Sequence, residues 1–131
     1  MKNTTRAFYC IFLLWLGCVC GCSPQKILAH RLKGADRVVV TNTIDGLSIS
    51  VTGADVDKIV RAIAAGKKES PTIATTPGLR LEFFRDAEHL ETVFTSYQVF
   101  WVEHTPYVDT TEALKTLYER FREEHPPMFS P

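Results

Sequence analysis

Beyond position 22 this chain of 131 residues contains no cysteine: Cys10, Cys18, Cys20 and Cys22 are its four. Residues 23–131 therefore exclude a disulfide framework, a cysteine metal site and a thiol nucleophile. Long apolar runs are missing as well. Residues 7–21 carry no charge, but such a run falls short of the roughly 20 apolar residues that cross a bilayer, and Gly17 and Gly21 thin its end. Charge of one sign is not in excess, with 15 basic residues against 15 acidic ones, so nothing in the balance suggests a nucleic-acid partner. HExxH, GxSxG and a glycine-rich phosphate loop are all absent. None of the four histidines stands four residues from another on a helical pattern.

What is present begins at the N-terminus. Lys2 and Arg6 precede the apolar stretch AFYCIFLLWLGCVCG, which ends in small residues. A positive region, a short apolar region and a small-residue end form a secretory signal. The stretch is apolar all round, which argues against an amphipathic core helix.

Val19-Cys20-Gly21-Cys22 resembles the lipobox of bacterial lipoproteins: an aliphatic residue at −3, a loosely specified one at −2, a small one at −1, then cysteine. Cys18 fits less well, with Trp15 at −3, and so does Cys20, with Val19 at −1. Val19 stands where leucine is commonest in that family. The resemblance covers only the first 22 residues. It implies cleavage between Gly21 and Cys22 and transfer of a diacylglycerol to the Cys22 thiol, which is needed as the nucleophile. Cys10, Cys18 and Cys20 would be discarded and the membrane would be a partner through acylated Cys22. In two-membrane bacteria an Asp after the modified cysteine commonly retains the protein in the inner membrane. Ser23 stands there instead, so the resemblance implies an outer-membrane protein facing the periplasm.

On this division residues 1–21 are the signal, 22–35 the lipidated N-terminus and a tether, and 36–131 one α+β domain. Loss of Lys2 and Arg6 leaves 13 basic residues against 15 acidic ones, still no basis for nucleic-acid binding. The mature length suffices for one hydrophobic core. Fully extended, residues 23–35 reach about 40 Å, although Ile27, Leu28 and Leu32 leave a short helix open. Lys26, His30, Arg31 and Lys33 make this segment basic.

Residues 37–52 read as a hairpin around Asp45-Gly46, a pair that favours a two-residue type I′ turn. Leu47, Ile49 and Val51 alternate with polar residues, as on a half-buried strand. A helix follows, with the apolar stripe Val56, Ile59, Val60, Ile63 and Ala64, a Thr52/Asp55 capping pair and Gly66 at its end. Residues 69–78 are a loop with two prolines. A three-stranded meander spans residues 79–103. A second helix carries Leu114, Leu117, Tyr118 and Phe121, with Asp109 and Glu112 at capping-box spacing. The expected order is ββαβββα: a two-layer sandwich with a five-stranded antiparallel sheet and two helices on one face.

Tyr97, Phe100, Trp101 and Tyr107 concentrate aromatic area in eleven residues. Trp101 and Tyr107 are expected in the core beneath the last helix. Phe84, Phe100 and Val102 are expected on the uncovered sheet face, where an exposed apolar patch would mark a binding surface. The leading expectation is a non-enzymatic, lipid-anchored envelope module without a cofactor, binding an envelope protein through that face or an edge strand. The alternative is a small envelope enzyme or metal-dependent factor using the strand carboxylates Glu82, Glu91 and Glu103 with the histidines His30, His89, His104 and His125.

Overall fold

Alternating apolar residues and short reversals produce an antiparallel sheet. The structure, a computed structural model, describes residues 23–68 and 78–126. The signal-like segment, Cys22, residues 69–77 of the expected loop and residues 127–131 lie outside the described residues. Among the described residues three helices, α1 (Pro24–Arg31), α2 (Ala54–Ala65) and α3 (Ala113–Glu124), accompany seven strands: β1 (Arg37–Asn42), β2 (Ser48–Thr52), β3 (Lys67–Lys68), β4 (Leu79–Arg85), β5 (Glu88–Ser96), β6 (Val99–Val102) and β7 (Thr105–Val108). The strand order is β2-β1-β4-β5-β6-β7-β3, and every pair is antiparallel. The α+β class and the antiparallel sheet agree with the sequence. The counts of five strands and two helices do not.

Two of the added elements are strands. Glu103 and His104 both adopt positive φ, 49° and 69°, the two-residue geometry that suits the right-handed twist of a hairpin. They fold Thr105–Val108 back along β6, with Val102 opposite Thr105. Lys67 and Lys68 then pair with Val108 and Tyr107 as a two-residue edge strand. Short, lysine-bearing edges resist pairing with other chains.

The third added element replaces the tether expected over residues 22–35. Ser23 caps α1, its Oγ accepting a hydrogen bond from Lys26 N at 3.3 Å, and Pro24 occupies the first turn. Pro is suited there because its missing N–H would have no helical partner. Leu28 and Leu32 are buried in the main core cluster. Gln25 is buried too, and its Nε2 donates to the carbonyls of Ile63 at 2.7 Å and Gly66 at 2.6 Å. These belong to the C-terminal end of α2, where helix carbonyls lack partners within the helix. The segment is thus a packed helix, anchored at one end by an amide and at the other by leucines.

The stripes expected on the longer helices hold except at Ala64, whose buried counterpart is Ala62. Val56, Ile59 and Ile63 of α2 and Leu114, Leu117 and Phe121 of α3 are buried, with Val60 and Tyr118 packed against them; Ala64 is exposed. Their caps differ from expectation. Gly53, not Thr52, is the N-cap of α2 and makes no side-chain cap bond. Glu112 precedes α3 in the left-handed region, while buried Asp109 accepts from Leu114 N at 2.9 Å and from Thr111 N and Oγ1 at 2.7 Å. The carboxylate therefore serves the helix start from outside it.

The β1–β2 connection is longer than a two-residue turn. Thr41 pairs with Ser48, and Asn42 N donates to Leu47 O at 2.8 Å. Asn42 Oδ1 accepts from Ile44 N, and Asp45 Oδ1 from Leu47 N. These local side-chain bonds favour a wider loop, and they leave Leu47 exposed rather than facing inward.

Buried residues from β1, β2, β4, β5, β6 and β7 share one cluster with those of the helices. On each of these strands they alternate with half-buried or exposed neighbours. Among the described residues, one sheet face is therefore covered by the helices and the other is open.

Candidate interaction surface

Register determines what the open face displays. Thr95 is buried, and it stands opposite Phe100 across β5 and β6. Phe100 must share its face, since paired residues in an antiparallel ladder point the same way. Phe100 and Val102 are accordingly buried, not exposed as expected, and Phe100 stacks on Tyr107 with centroids 5.5 Å apart. Tyr107 occupies the core as expected. Trp101 does not: it lies on the open face, half-buried.

The open face carries a cross-strand row. Arg80 of β4 stands opposite Phe94 of β5, Phe94 opposite Trp101 of β6, and Trp101 opposite Pro106 of β7. Phe94 is 41% exposed, a large value for a phenylalanine in a sheet interior. Val99 and Val108, paired beside the row, are half-buried. At one end Arg80 Nε donates to Glu82 Oε1 at 3.0 Å, leaving a charged border to an apolar strip. Aromatic area with an arginine at its rim is the composition that protein interfaces favour.

Phe84 is on the open face as expected, yet it is not bare. The Arg37 guanidinium lies 4.6 Å above its ring centroid, and His89 meets its edge at 5.3 Å between centroids. Such cation–π cover reduces what the ring offers to a partner. Of Phe84, Phe100 and Val102, then, one is on the intended face and two are core residues. Phe94, which no local pattern marks out, and Trp101, expected in the core, take their place.

The carboxylates proposed for chemistry are dispersed. Glu82 is on the open face, 3.9 Å from His89 Nε2. Glu91 lies opposite Phe83 and pairs with Arg31 of α1 at 2.9 Å, on the helix side. Glu103 is in the β6–β7 turn. The sheet thus separates Glu82 from Glu91, and the two cannot act on one bond. His30 is on α1, His104 in a turn, and His125 closes α3 with Nε2 3.1 Å from Ser48 O. Among the described residues no group of three His, Cys, Asp or Glu side chains is placed to hold a metal ion.

A concavity of about 480 Å³ lies between α2 and α3 over Val51, Ile59 and Leu117. Three of its charged lining residues are paired, Asp55 meeting Arg120 at 3.5 Å and Lys58 at 3.7 Å while Arg120 also reaches Glu124; Arg61 and Glu112 line it as well. A charged ligand would have to compete with these contacts.

No protein-family model, curated protein or solved structure matches this chain. Among the described residues no helix is long and apolar enough to cross a membrane.

Proposed function

We propose that the chain is a lipid-anchored protein of the bacterial envelope, acylated at Cys22 after cleavage behind Gly21, whose α+β domain binds an envelope protein without catalysing a reaction. The Arg80–Phe94–Trp101–Pro106 row carries the binding part of this reading. It puts aromatic area, an arginine and a paired carboxylate on a sheet face that, among the described residues, no helix covers. The lipobox-like Val19-Cys20-Gly21-Cys22 carries the anchoring part, and Ser23 in place of an Asp directs the protein to the outer membrane, facing the periplasm.

Two measurements test the two parts separately. A photo-crosslinking amino acid at Phe94 or Trp101 in living cells should yield a discrete adduct, whereas the same group at Glu119, exposed on α3, should not. Adducts only from position 119 would move the binding site to the helix layer. Cys22→Ala should leave an uncleaved precursor that no longer incorporates a fatty-acid analogue. Normal incorporation in that variant would end the lipoprotein reading.

A further inference from the structure

The place where the chain enters the fold dictates how such a protein would sit on its membrane. Ser23 caps α1 and Pro24 is its first residue, so a single peptide bond joins Cys22 to the folded domain. Gln25 fastens this start to the end of α2 through Gly66 O at 2.6 Å. Lys26 follows Gln25 directly on α1, and Lys67 and Lys68, which follow Gly66, form the outermost strand of the sheet. Lys26, Lys67 and Lys68 are all exposed. None of them forms an ion pair among the described residues, which is true also of Lys33, Arg61, Lys115 and Arg122; what sets these three apart is their place beside the start of the folded chain. Ile27, 43% exposed, adds an apolar side chain to the same helix end.

We infer that this corner, where Ser23–Ile27 meets Gly66–Lys68, rests against an anionic bilayer, so that the sheet stands edge-on with β3 at the headgroups and β2 farthest away. The inference rests on acylation at Cys22. Lysines within a Debye length of an anionic surface are attracted to it, and a lipid attached at the same corner holds them there. Six strand spacings put β2 roughly 29 Å beyond β3. The open face then looks sideways along the membrane, with Phe94 and Trp101 unobstructed by lipid and available to a partner beside the protein.

Energy transfer to the membrane tests the orientation. The acylated protein, carrying a fluorescent amino acid at Ala65 or at Ser50, is reconstituted in vesicles of phosphatidylcholine and phosphatidylglycerol with an acceptor dye on the headgroups. Both positions are exposed, one beside Gly66 and the other on β2. Transfer from position 65 should exceed that from position 50 by about twofold or more, given the strand spacing. Replacing the three lysines together (Lys26→Glu, Lys67→Glu, Lys68→Glu) should abolish the difference. Equal transfer in the unaltered protein, as when α1 lies flat with Lys26, His30 and Lys33 against the lipid, overturns the inference. So does a triple variant that keeps the difference. Mass spectrometry of Cys22 identifies failure of the acylation reading on its own. In that event residues 22–131, which hold the whole described core, are coupled through Cys22 to a maleimide lipid and measured in the same way, with the same two outcomes deciding.

Discussion

Gln25 Nε2 donates to Gly66 O at 2.6 Å across 41 residues of chain, and the same amide reaches Ile63 O at 2.7 Å. One side chain thus closes the carbonyl end of α2 and secures the first helix to it. Gln25→Ala leaves those partly buried carbonyls without their donor, at a cost of about 1–3 kcal/mol. Gln25→Glu should cost more at neutral pH, since it turns a carboxylate toward carbonyl oxygens. Urea unfolding of residues 23–131 measures both; an unchanged midpoint for Gln25→Ala would show that these amide bonds contribute nothing to stability, leaving Leu28 and Leu32 to hold α1.

Gly66 is required by space, not by conformation. Its φ is −59°, which any residue adopts, but a Cβ there would overlap the Phe100 ring and lie 3.2 Å from Val108 O. Gly66→Ala should destabilise by about 1–3 kcal/mol through overpacking. In the Phe100→Leu background the same substitution should cost less, because the clashing ring is gone and contacting sites are not additive. Equal costs in both backgrounds would place the strain elsewhere.

Neighbouring aromatic residues on β6 should behave oppositely. Phe100 is fully buried, so Phe100→Ala should cost about 3–5 kcal/mol. Trp101→Ala, on the open face, should cost under about half of that and should abolish the crosslink formed from position 94. Thermal melts paired with in-cell crosslinking separate the two effects. A Trp101 variant that unfolds would return this residue to the core.

Ser23 offers a clean test of destination. Its Oγ caps α1, and Asp is as good a cap as Ser, so Ser23→Asp should preserve the fold. On the proposed lipoprotein route it should also shift the protein from outer- to inner-membrane fractions of a density gradient. Unaltered protein that already bands with the inner membrane would refute the sorting proposal and leave the acylation proposal standing.

Much of the fold was legible where a single period dominates. Val56, Ile59 and Ile63, and Leu114, Leu117 and Phe121, recur at helical spacing, and that spacing alone directs them to one side of a helix. Leu79, Leu81 and Phe83 alternate with Arg80 and Glu82, and the same kind of periodicity puts all three in the core. The first helix was harder. Ser23-Pro24 is a start signal that could have been read, but the helix is one of eight residues with Leu28 and Gln25 as its buried residues. It is stable through contacts with α2 that no local pattern reveals.

The open face is the clearest case of information that is not local. Val99, Phe100, Trp101 and Val102 are apolar on both sides of the strand, so alternation cannot say which side is covered. Pairing says it. The register shift between Phe83 and Phe84 places Glu91 opposite Phe83 and His89 opposite Phe84, and beyond it Val93 and Thr95 face the helices while Phe94 does not. Phe100, opposite Thr95, follows inward, and Trp101, opposite Phe94, follows outward. A side chain's face has period two, so one irregularity on a distant strand is enough to assign every residue paired beyond it. Helix faces and a short list of candidate aromatics were available from residue order; which aromatic meets solvent was settled by hydrogen-bonded neighbours that residue order does not name.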